Sequence, residues 1–218
     1  MLKKQVYKIS TPRTMKNQAV LCISIGAPYH QGEKMITLIE WAERHYTDVV
    51  IVLCDTLQRH NYLMTGWTEE QAHARAKKQG FDWIDTYVPF IQKSKVIIWD
   101  DILRREAYKK DHALLKEQFH KNIKFRQDII NDAQAFIKKK GKTKEQAIYS
   151  INYILEEITA HKTLYDWLGQ YCYVYPGSFL ESIEKSFCAH YDLGDFQILG
   201  NCSFLKPKIK KKLAKTAA

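Results

Sequence analysis

The stretch QAVLCISIGAPYHQGEKMITLIEWAERHYTDVVIVLCD (residues 18–55) decides the fold class of this chain. It begins and ends with apolar segments, QAVLCIS (18–24) and DVVIVLCD (48–55), which are typical of strands buried on both faces. Between them, EKMITLIEWAERHY (33–46) carries apolar residues at helical spacing. Two parallel strands joined by a helix form a β-α-β unit. The stretch therefore predicts an α/β fold with a parallel central sheet covered by helices on both faces.

The rest of the chain repeats the alternation of strands and helices. Further strands are predicted at 95–101, 171–177 and 195–200, and helices at 68–80, 101–121, 122–140 and 178–191. Another helix is predicted from a cap at Thr143 to about Tyr165, and Thr68 is the predicted cap of the helix at 68–80. We interpret residues 1–205 as a single α/β catalytic domain and residues 206–218 as a basic tail that we expect to be disordered.

Composition narrows the class of protein. The 218 residues carry a formal net charge of +10, which favours a polyanionic partner, although solvated helix faces and a disordered tail are the alternative. No run reaches the roughly 18 apolar residues of a membrane span, and the segment MLKKQVYKIS (1–10) lacks the apolar centre of a secretory signal, so we expect a cytoplasmic protein. The five cysteines show no metal-ligand spacing, so we expect reduced packing residues and no metal site.

Three side chains follow predicted strands and are expected at one crevice, because ligands bind outside the carboxyl ends of parallel strands. They are Ser24, Asp55 and Tyr175. The segment after the first strand is neither a dinucleotide fingerprint nor a P-loop, and it is not a nucleophile elbow, since Cys22 stands where the first glycine of that motif belongs. Spacing alone leaves Ser24 as either a nucleophile or a turn hydroxyl.

Two further patterns bear chemistry. Tyr153 and Glu157 in INYILEEIT (151–159) are four residues apart, so on a helix they share one face. A phenol and a carboxylate facing a cleft can bind an ammonium group, although an amphipathic helix with a surface glutamate explains the same spacing. Tyr175 in VYPG (174–177) is a candidate proton relay or an ordinary strand residue, and Pro176 ends the strand pairing.

These segments, in this order and at these separations, resemble the cyclodipeptide synthases, which use two aminoacyl-tRNAs to make a cyclic dipeptide. The similarity covers about residues 18–200. It is carried by the serine in LCISIGAPY, by the Y-x-x-x-E motif in YILEE and by the Tyr-Pro pair in VYP, with weaker support from GWTEEQAHARAKKQG (66–80) in the region of the family's tRNA-contacting helix. Ala27, Tyr175 and Pro176 resemble the group with a variable first position followed by Tyr-Pro, rather than the group with Asn, Tyr and His.

The resemblance implies a single Rossmann-like domain similar to the catalytic domain of class I aminoacyl-tRNA synthetases, especially the tyrosyl enzyme. The ATP signatures of those synthetases are missing, which fits a substrate that is already activated as an ester. By the same resemblance, Ser24 is the nucleophile that forms a serine-linked aminoacyl-enzyme and then a dipeptidyl-enzyme. Glu157 and Tyr153 anchor the α-ammonium group, and Tyr175 relays protons. No base for Ser24 is evident, and His30 is interpreted as a structural loop residue.

Binding residues follow from strand alternation and from charge. Strand alternation and the resemblance give a substrate-contacting set: Val20, Cys22, Gly26, Ala27, Val52, Tyr173 and Pro176. For the strand residues in that set, core packing is the alternative. Because tRNA is held by its phosphates, basic residues on two neighbouring helices are the predicted tRNA-binding set: Arg75, Lys77, Lys78, Arg104, Arg105, Lys109 and Lys110. A solvated helix face is the alternative interpretation of these residues.

Partners and competing functions complete the expectations. We expect two aminoacyl-tRNAs per cycle, no ATP, no cofactor and no membrane, with a monomeric enzyme. A non-catalytic tRNA- or RNA-binding α/β module shares the basic helices but gives no reason for Ser24, Tyr153, Glu157 and Tyr175 to converge. A nucleotide-binding enzyme related to the synthetases is the second alternative, and ATP binding distinguishes it.

Overall fold

A parallel sheet of five strands forms the centre of the molecule. The computed structural model describes residues 6–10, 17–187, 191–194, 196, 198–199 and 203–212. The sheet has the order β4-β3-β2-β5-β6, and every neighbouring pair is parallel, so the predicted fold class is confirmed. A separate antiparallel ribbon pairs β1 with β7. The strands are β1 (Val6–Ser10), β2 (Gln18–Ile23), β3 (Asp48–Leu53), β4 (Lys95–Ile98), β5 (Cys172–Val174), β6 (Ser203–Leu205) and β7 (Lys208–Lys212).

Helices cover both faces of this sheet. They are α1 (Gly32–His45), α2 (Arg59–Leu63), α3 (Glu69–Tyr87), α4 (Trp99–Leu103), α5 (Glu106–Lys121), α6 (Ile123–Lys139), α7 (Ala147–Leu168) and α8 (Glu181–Phe187). Short 3-10 helices lie at Pro28–His30, Thr56–Gln58, Val88–Phe90 and Lys144–Gln146. The described residues contain no helix with the length and apolar character that crossing a membrane requires.

Alternation along the strands separates two cores. Even-numbered residues of β2 and β3, such as Val20 and Val52, pack with the side chains of α5, α6, α7 and α8. Odd-numbered residues, such as Leu21 and Ile51, pack with α1 and the end of α3. Burial of both faces explains why these strands read as continuous apolar runs rather than as polar-apolar alternation. Val20, Cys22, Val52 and Tyr173 therefore lie on one face of the sheet, the face that α7 covers.

The strand order reverses at β2, and this reversal positions the candidate site. From β2 the chain proceeds to β3 and β4 on one side, and it later returns to β5 and β6 on the other. At such a switch point, open α/β sheets bind ligands outside the carboxyl ends of the strands, here those of β2 and β5, and we call this region the crevice. Ser24 follows β2 and Tyr175 follows β5, and both lie at this crevice.

Helix α3 extends beyond its predicted end. Thr68 is its cap, as predicted, and forms a reciprocal capping box with Gln71. The helix continues through Gly80 to Tyr87. Gly80 serves close packing there, because a Cβ atom at this position would lie 2.5 Å from Oδ2 of Asp55. The prediction that the helix ends at Gly80 is wrong for this reason.

The helices after β4 also differ in their bounds. The predicted helix at 101–121 is divided into α4 and α5, which are separated by Arg104 and Arg105. Thr143 caps the 3-10 turn that leads into α7, and α7 runs past the predicted end at Tyr165. It ends at Gly169, whose φ of 77° favours glycine. The predicted helix at 178–191 is observed as α8, with residues 188–190 outside the described residues.

The end of the chain departs most from expectation. The strand that pairs with β5 is β6 and not the predicted one at 195–200. Of that segment, Phe196 forms only an isolated bridge to Leu193, Ile198 and Leu199 are in no strand, and residues 195, 197 and 200 lie outside the described residues. The tail at 206–218 was expected to be disordered, yet Lys208–Lys212 is strand β7, paired with β1. Ladder hydrogen bonds to β1 therefore order this lysine-rich segment. Residues 213–218 lie outside the described residues.

Candidate active site

Ser24 and Tyr175 meet at the crevice between β2 and β5. The register pairs Val20 with Tyr173 and Leu21 with Val174, so the residues after each strand leave the sheet side by side. Oγ of Ser24 lies 2.8 Å from the hydroxyl oxygen of Tyr175, which is hydrogen-bond distance. Two of the sequence-predicted residues, 151 positions apart in the chain, are thus in direct contact.

Tyr29 adds a third hydroxyl that the sequence analysis did not identify. Its oxygen lies 2.9 Å from the hydroxyl oxygen of Tyr175, so the three side chains form the row Ser24–Tyr175–Tyr29. Gly177 leaves room for this contact, because a Cβ atom there would overlap the Tyr29 hydroxyl and lie 2.6 Å from Cε1 of Tyr175. The presence of a tyrosine five residues after Ser24 was the available signal, but spacing does not say where a loop side chain points.

Tyr175 retains its proton at neutral pH. Burial, together with the neighbouring Tyr29, raises the pKa of the Tyr175 hydroxyl above its usual value, although the hydrogen bond from Ser24 acts in the opposite direction. A phenol in this state donates one hydrogen bond and accepts others. It can therefore accept one proton while it releases its own, which is the requirement for a relay.

His30 contacts the backbone of Ser24 instead of its hydroxyl. Nδ1 of His30 accepts a hydrogen bond from the Ser24 N–H at 3.0 Å, and the ring is 1% exposed. Burial lowers the pKa of His30 to about 3, which outweighs the opposing effect of that bond, so the imidazole is neutral. His30 is the buried last residue of the 3-10 turn Pro28–His30, so it is a structural residue of this loop, and it supports the segment that carries Ser24.

Tyr153 and Glu157 lie one turn apart on α7, on the side that faces the sheet. Tyr153 and Tyr175 pack against the same core cluster, which contains the α7 residues Ile154 and Ile158. Burial, and then the charge of Glu157, raises the pKa of the Tyr153 hydroxyl. Glu157 also contributes, after burial and Tyr29, to the raised pKa of Tyr175. The structure thus brings the phenol and carboxyl groups of α7 into electrostatic range of the crevice.

Glu157 is a protonated carboxylic acid at neutral pH. Its side chain is 13% exposed, and burial, followed by the charge of Glu156, raises its pKa to about 8. The nearest basic group in contact is Nε2 of His161, at 4.0 Å from Oε1. Burial lowers the pKa of that histidine to about 3, so it carries no compensating charge. A cation that approaches Glu157 therefore meets a carboxyl group without a charged partner among the described residues.

Glu156 forms a buried polar cluster that the sequence analysis missed. Its Oε1 accepts hydrogen bonds from Nη1 of Arg59 at 2.8 Å and from Nε1 of Trp99 at 2.9 Å. Its Oε2 accepts a bond from Nη2 of Arg59 and lies 3.1 Å from Nε2 of His60. Burial opposes ionisation, but the hydrogen bonds with His60 and Arg59 and the charge of Arg59 lower the pKa of Glu156 to about 2. The cluster joins α7 to α2 and α4.

Asp55, the third strand-end residue, makes contacts that support the fold. Its Oδ1 accepts a hydrogen bond from the backbone N–H of Trp99 at 3.0 Å, and Gly80 of α3 packs against its side chain. Burial raises the pKa of this carboxyl group. Asp55 thus connects β3 to α3 and α4, and it makes no hydrogen bond to Ser24 or Tyr175 among the described residues.

The predicted substrate-contacting residues fall into two groups. The strand members lie beneath the crevice on the α7 side of the sheet, where each is at most 1% exposed: Val20, Cys22, Val52 and Tyr173. The remaining three border the opening: Gly26 is exposed, with a φ of 86°, and Ala27 and Pro176 are half-buried. The Ala27 N–H donates to the carbonyl oxygen of Ser24 at 3.1 Å, which closes the turn. Contact with substrate stays a prediction for all seven.

The predicted tRNA-binding residues differ in availability. Arg75 and Lys110 are exposed and make no ion pair within the described part of the chain. Three others form exposed pairs, Lys78 with Asp82, Arg104 with Asp101 and Lys109 with Glu106. Such pairs contribute little to stability and exchange partners readily. Lys77 lies over the Phe81 ring.

Arg105 differs from the rest of the set. The guanidinium carbon lies 3.2 Å from the centroid of the Trp167 ring, and its Nε is buried without a hydrogen-bond partner among the described residues. This cation packs against an aromatic ring instead of facing solvent. Within the described residues, no group of three or more His, Cys, Asp or Glu side chains is arranged to hold a metal ion.

Known structures share this fold over nearly the whole chain. A cyclodipeptide synthase (CDPS) from Fluoribacter dumoffii is 19% identical, with a TM-score of 0.81, and the match covers 96% of this chain and 100% of that one. A Mycobacterium tuberculosis protein, whose structure is described as demonstrating that cyclodipeptide synthetases are related to type I tRNA synthetases, is 17% identical, with a TM-score of 0.71 and 93% coverage of both chains. The predicted similarity to class I synthetase domains is confirmed at the level of the fold.

A third structure contains RNA. The cyclodipeptide synthase from Candidatus Glomeribacter gigasporarum bound to Phe-tRNAPhe is 19% identical, with a TM-score of 0.68, and the match covers 92% of this chain and 91% of that one. A comparison with curated proteins gave no significant match. The family model for cyclodipeptide synthase matches residues 10–160, which is more than half of the chain. The chain therefore belongs to the cyclodipeptide synthase family.

Proposed function

We propose that this chain joins two aminoacyl groups, each delivered as an ester on tRNA, into a cyclic dipeptide. The observation that carries the proposal is the 2.8 Å contact between Oγ of Ser24 and the hydroxyl of Tyr175. It supplies a nucleophile and a proton relay at the switch point of a parallel sheet, where ligands bind in such folds. Family membership supports the same reaction.

The first step transfers an aminoacyl group to Ser24. Oγ attacks the ester carbonyl, a new C–Oγ bond forms, and the bond from the carbonyl carbon to the ribose oxygen breaks. The Ser24 proton passes to the oxygen of Tyr175, and the proton of Tyr175 passes to the departing ribose oxygen. This exchange needs no strong base, because the ester is already activated and Tyr175 begins and ends protonated.

Glu157 and Tyr153 hold the α-ammonium group of the bound aminoacyl residue. An ammonium beside Glu157 favours the ionised carboxyl and therefore lowers the pKa that burial has raised. The Tyr153 hydroxyl adds a directional hydrogen bond. Such positioning contributes as much as about 7–11 kcal/mol to lowering a barrier in favourable cases.

The second step extends the chain while the first residue remains on Ser24. The α-ammonium group first gives a proton to the Glu157 carboxylate, and the resulting amine attacks the ester carbonyl of the second aminoacyl-tRNA. A C–N bond forms, the bond from the carbonyl carbon to the ribose oxygen breaks, and the proton of the attacking amine passes to that ribose oxygen. The second tRNA is released, and a dipeptide remains esterified to Ser24. The opposite direction of attack would place the dipeptide on tRNA. The free amine of the dipeptidyl-enzyme then attacks the Ser24 ester, the C–Oγ bond breaks, and Oγ recovers a proton through Tyr175. The product is a ring with two amide bonds.

Phosphate recognition by Lys and Arg side chains, all exposed except the half-buried Lys77, brings the two tRNAs to the site. Arg75, Lys77 and Lys78 on α3, with Arg104 and with Lys109 and Lys110 on α5, are candidates, and the bound tRNA of the Candidatus Glomeribacter gigasporarum protein supports an aminoacyl-tRNA partner. The lysines of β7 add non-specific attraction. No nucleotide is required, since the ester carries the activation. We propose a cytoplasmic monomer.

Expression in a bacterial host, with mass spectrometry of the medium, tests the proposal. Cyclic dipeptides are expected from the wild-type chain and are expected to be absent with Ser24→Ala. Ser178→Ala, at an exposed serine close to the site in sequence, is the matched control. A labelled aminoacyl group trapped on Ser24 identifies the intermediate. Folded wild-type protein that yields no cyclic dipeptide contradicts the proposal. If that inactive protein still binds tRNA, the result favours a non-catalytic RNA-binding module. If it binds ATP, the result favours a nucleotide-binding enzyme.

A further inference from the structure

The 3-10 turn Pro28–His30 contacts the candidate nucleophile by two routes. His30 binds the Ser24 backbone N–H through Nδ1 at 3.0 Å. Tyr29 binds the hydroxyl of Tyr175 at 2.9 Å, and that hydroxyl lies 2.8 Å from Oγ of Ser24. One short turn thus reaches both the backbone and, through one intermediate, the side chain of the same serine. None of these contacts is needed to close the turn itself, whose backbone bond joins His30 to Ala27.

The acceptor on His30 fixes the tautomer of the imidazole. Because Nδ1 accepts the Ser24 N–H, the proton of the neutral ring is on Nε2. Nε2 has no hydrogen-bond partner among the residues that the structure describes, and the ring is buried. A buried polar atom without a partner disfavours folding. An apolar side chain at this position would avoid that cost. What histidine offers instead is Nδ1, which accepts the hydrogen bond from the Ser24 N–H.

Three aromatic rings hold the arrangement rigid. The ring centroids of Tyr29 and His30 are 4.7 Å apart, those of His30 and Tyr175 are 5.5 Å apart, and those of Tyr29 and Tyr175 are 5.8 Å apart, all in edge-to-face geometry. The Ser24 hydroxyl therefore meets a phenol whose ring and hydroxyl are both fixed. A short side chain such as serine has one soft torsion, so fixing its backbone and its hydroxyl partner fixes the direction of Oγ.

We infer that His30 and Tyr29 are positioning residues for the Ser24 nucleophile, His30 through the backbone amide and Tyr29 through the hydroxyl of Tyr175. The inference rests on the proposed function, since it assigns Ser24 the attacking role. It also has a corollary: the Ser24 N–H is engaged by His30 and is not free to stabilise the oxyanion of the attacked ester.

The decisive comparison is His30→Asn with His30→Leu. The amide oxygen of asparagine can occupy the place of Nδ1 and accept the Ser24 N–H, whereas leucine offers no acceptor. Tyr29→Phe removes only the hydroxyl, and His120→Leu, at an exposed histidine of α5, is the matched control. The substrate is bulk bacterial tRNA charged with the amino acids found in the wild-type product. Acylation of Ser24 is measured in a single turnover, and kcat and KM are measured at steady state.

The expected result is a loss of tenfold or more in acylation rate and kcat for His30→Leu and Tyr29→Phe, with KM unchanged. A loss of this size is reasonable because misplacement of reacting groups by about 1 Å costs up to a hundredfold in rate. The rate of His30→Asn should remain within about threefold of wild type, because asparagine restores the acceptor. Full activity of His30→Leu, or equal impairment of the leucine and asparagine variants, overturns the role of His30. Full activity of Tyr29→Phe overturns that of Tyr29.

Two further readouts keep these outcomes interpretable. Circular dichroism and thermal unfolding establish that each variant is folded, and if His30→Leu does not fold, the asparagine and phenylalanine variants decide. Failure of the proposed function has a different signature, since wild type would then yield no cyclic dipeptide and Ser24→Ala would change nothing. A merely structural role for the turn predicts lower thermal stability, with no loss of kcat in the folded variants.

Discussion

Glu156 and Glu157 are consecutive residues of helix α7, and their side chains have opposite ionisation states at neutral pH. Arg59, His60 and Trp99 hydrogen-bond Glu156. Burial opposes its ionisation, but the hydrogen bonds with His60 and Arg59 and the charge of Arg59 lower its pKa to about 2. Burial, together with the charge of Glu156, raises the pKa of Glu157 to about 8. One carboxylate thus fixes the helix, while the other is left without a charged partner at the crevice.

Glu157→Gln is expected to stabilise the fold increasingly as pH rises from about 5 to 8. Glu157 ionises near pH 4.5 in the unfolded chain but near pH 8 in the folded protein, so the folded state holds an extra proton between these values. The free energy of unfolding of wild type therefore falls through this window, by at most about 1.4 kcal/mol per pH unit from this group, and glutamine removes the effect. Urea unfolding of both proteins at pH 5 and pH 8 measures it. Exposed Glu70→Gln is the control, and a pH-independent difference would contradict the pKa assignment.

Removal of the Glu156 charge should destabilise the fold strongly. In Glu156→Gln the guanidinium of Arg59, whose side chain is 13% exposed, loses its buried partner. Breaking such a pair costs about 3–5 kcal/mol. Glu69→Gln is the matched control, because Glu69 pairs with the same arginine at a surface position that is 68% exposed, and it should cost less than about 1 kcal/mol. Urea unfolding at pH 7 compares the two, and equal losses would show that the buried pair has no special weight.

Tyr175→Phe is expected to lower kcat by about a hundredfold or more while the protein stays folded. The change removes the hydroxyl that contacts Ser24 and with it the proposed proton relay, and relays of this kind contribute about 10²–10⁴ in rate. Product formation and thermal unfolding are measured together. Tyr62→Phe, which removes a hydroxyl bonded to Gln79 on α3, should keep its activity. Full activity of Tyr175→Phe would contradict the role of Tyr175 as the proton relay for Ser24.

Alanine at two glycines should separate activity from stability. Gly177→Ala places a methyl group against the Tyr29 hydroxyl and the Tyr175 ring, so it should reduce the acylation rate. Gly80→Ala places a methyl group 2.5 Å from Oδ2 of Asp55. Because Asp55 accepts the hydrogen bond from the Trp99 N–H, this variant should lower the free energy of unfolding instead. Urea unfolding and single-turnover acylation distinguish them. The relay geometry would be contradicted by a Gly177→Ala variant that acylates at the wild-type rate.

Alanine at exposed cations should weaken tRNA binding in a salt-dependent way. Arg75→Ala and Lys110→Ala each remove a cation that makes no ion pair among the described residues, and each should reduce the slope of log K against log salt by about 1 if it contacts a phosphate. Arg105→Ala should leave that slope unchanged and lower stability, because its cation packs on Trp167. Gel-shift titrations with bulk tRNA at several salt concentrations measure the slopes. If the slopes of Arg75→Ala and Lys110→Ala equal that of wild type, these residues do not contact phosphates and tRNA binds at another surface.

The sequence predicted the convergence of Ser24 and Tyr175 because a parallel sheet brings the carboxyl ends of its strands to one edge. It did not predict Tyr29 and His30, since spacing within a loop does not reveal which side chains turn inward. The two glutamates of YILEE illustrate the same limit. Helical periodicity assigns Glu157 to the face of Tyr153, but the partners of Glu156 lie 57 to 97 residues away and belong to two other helices.

Long-range pairing also explains the errors in fold and charge. Lys208–Lys212 reads as a solvated basic run, and only its ladder to β1, at the other end of the chain, makes it a strand. The sequence presents Arg105 as one member of a basic set, and the structure distinguishes it by the packing of its guanidinium group on the Trp167 ring of α7. Composition describes the average surroundings of such residues, whereas contacts with segments distant in the chain determine their state.

The ribbon of β1 and β7 has one further consequence. Val6 faces Lys212 across the ladder, so β1 and β7, near the two ends of the described part of the chain, are hydrogen-bonded side by side. The ribbon thus acts as a hydrogen-bonded clasp between these two segments. A single break in an exposed connection such as that at Gly141 would leave two fragments held together by this clasp as well as by the shared core.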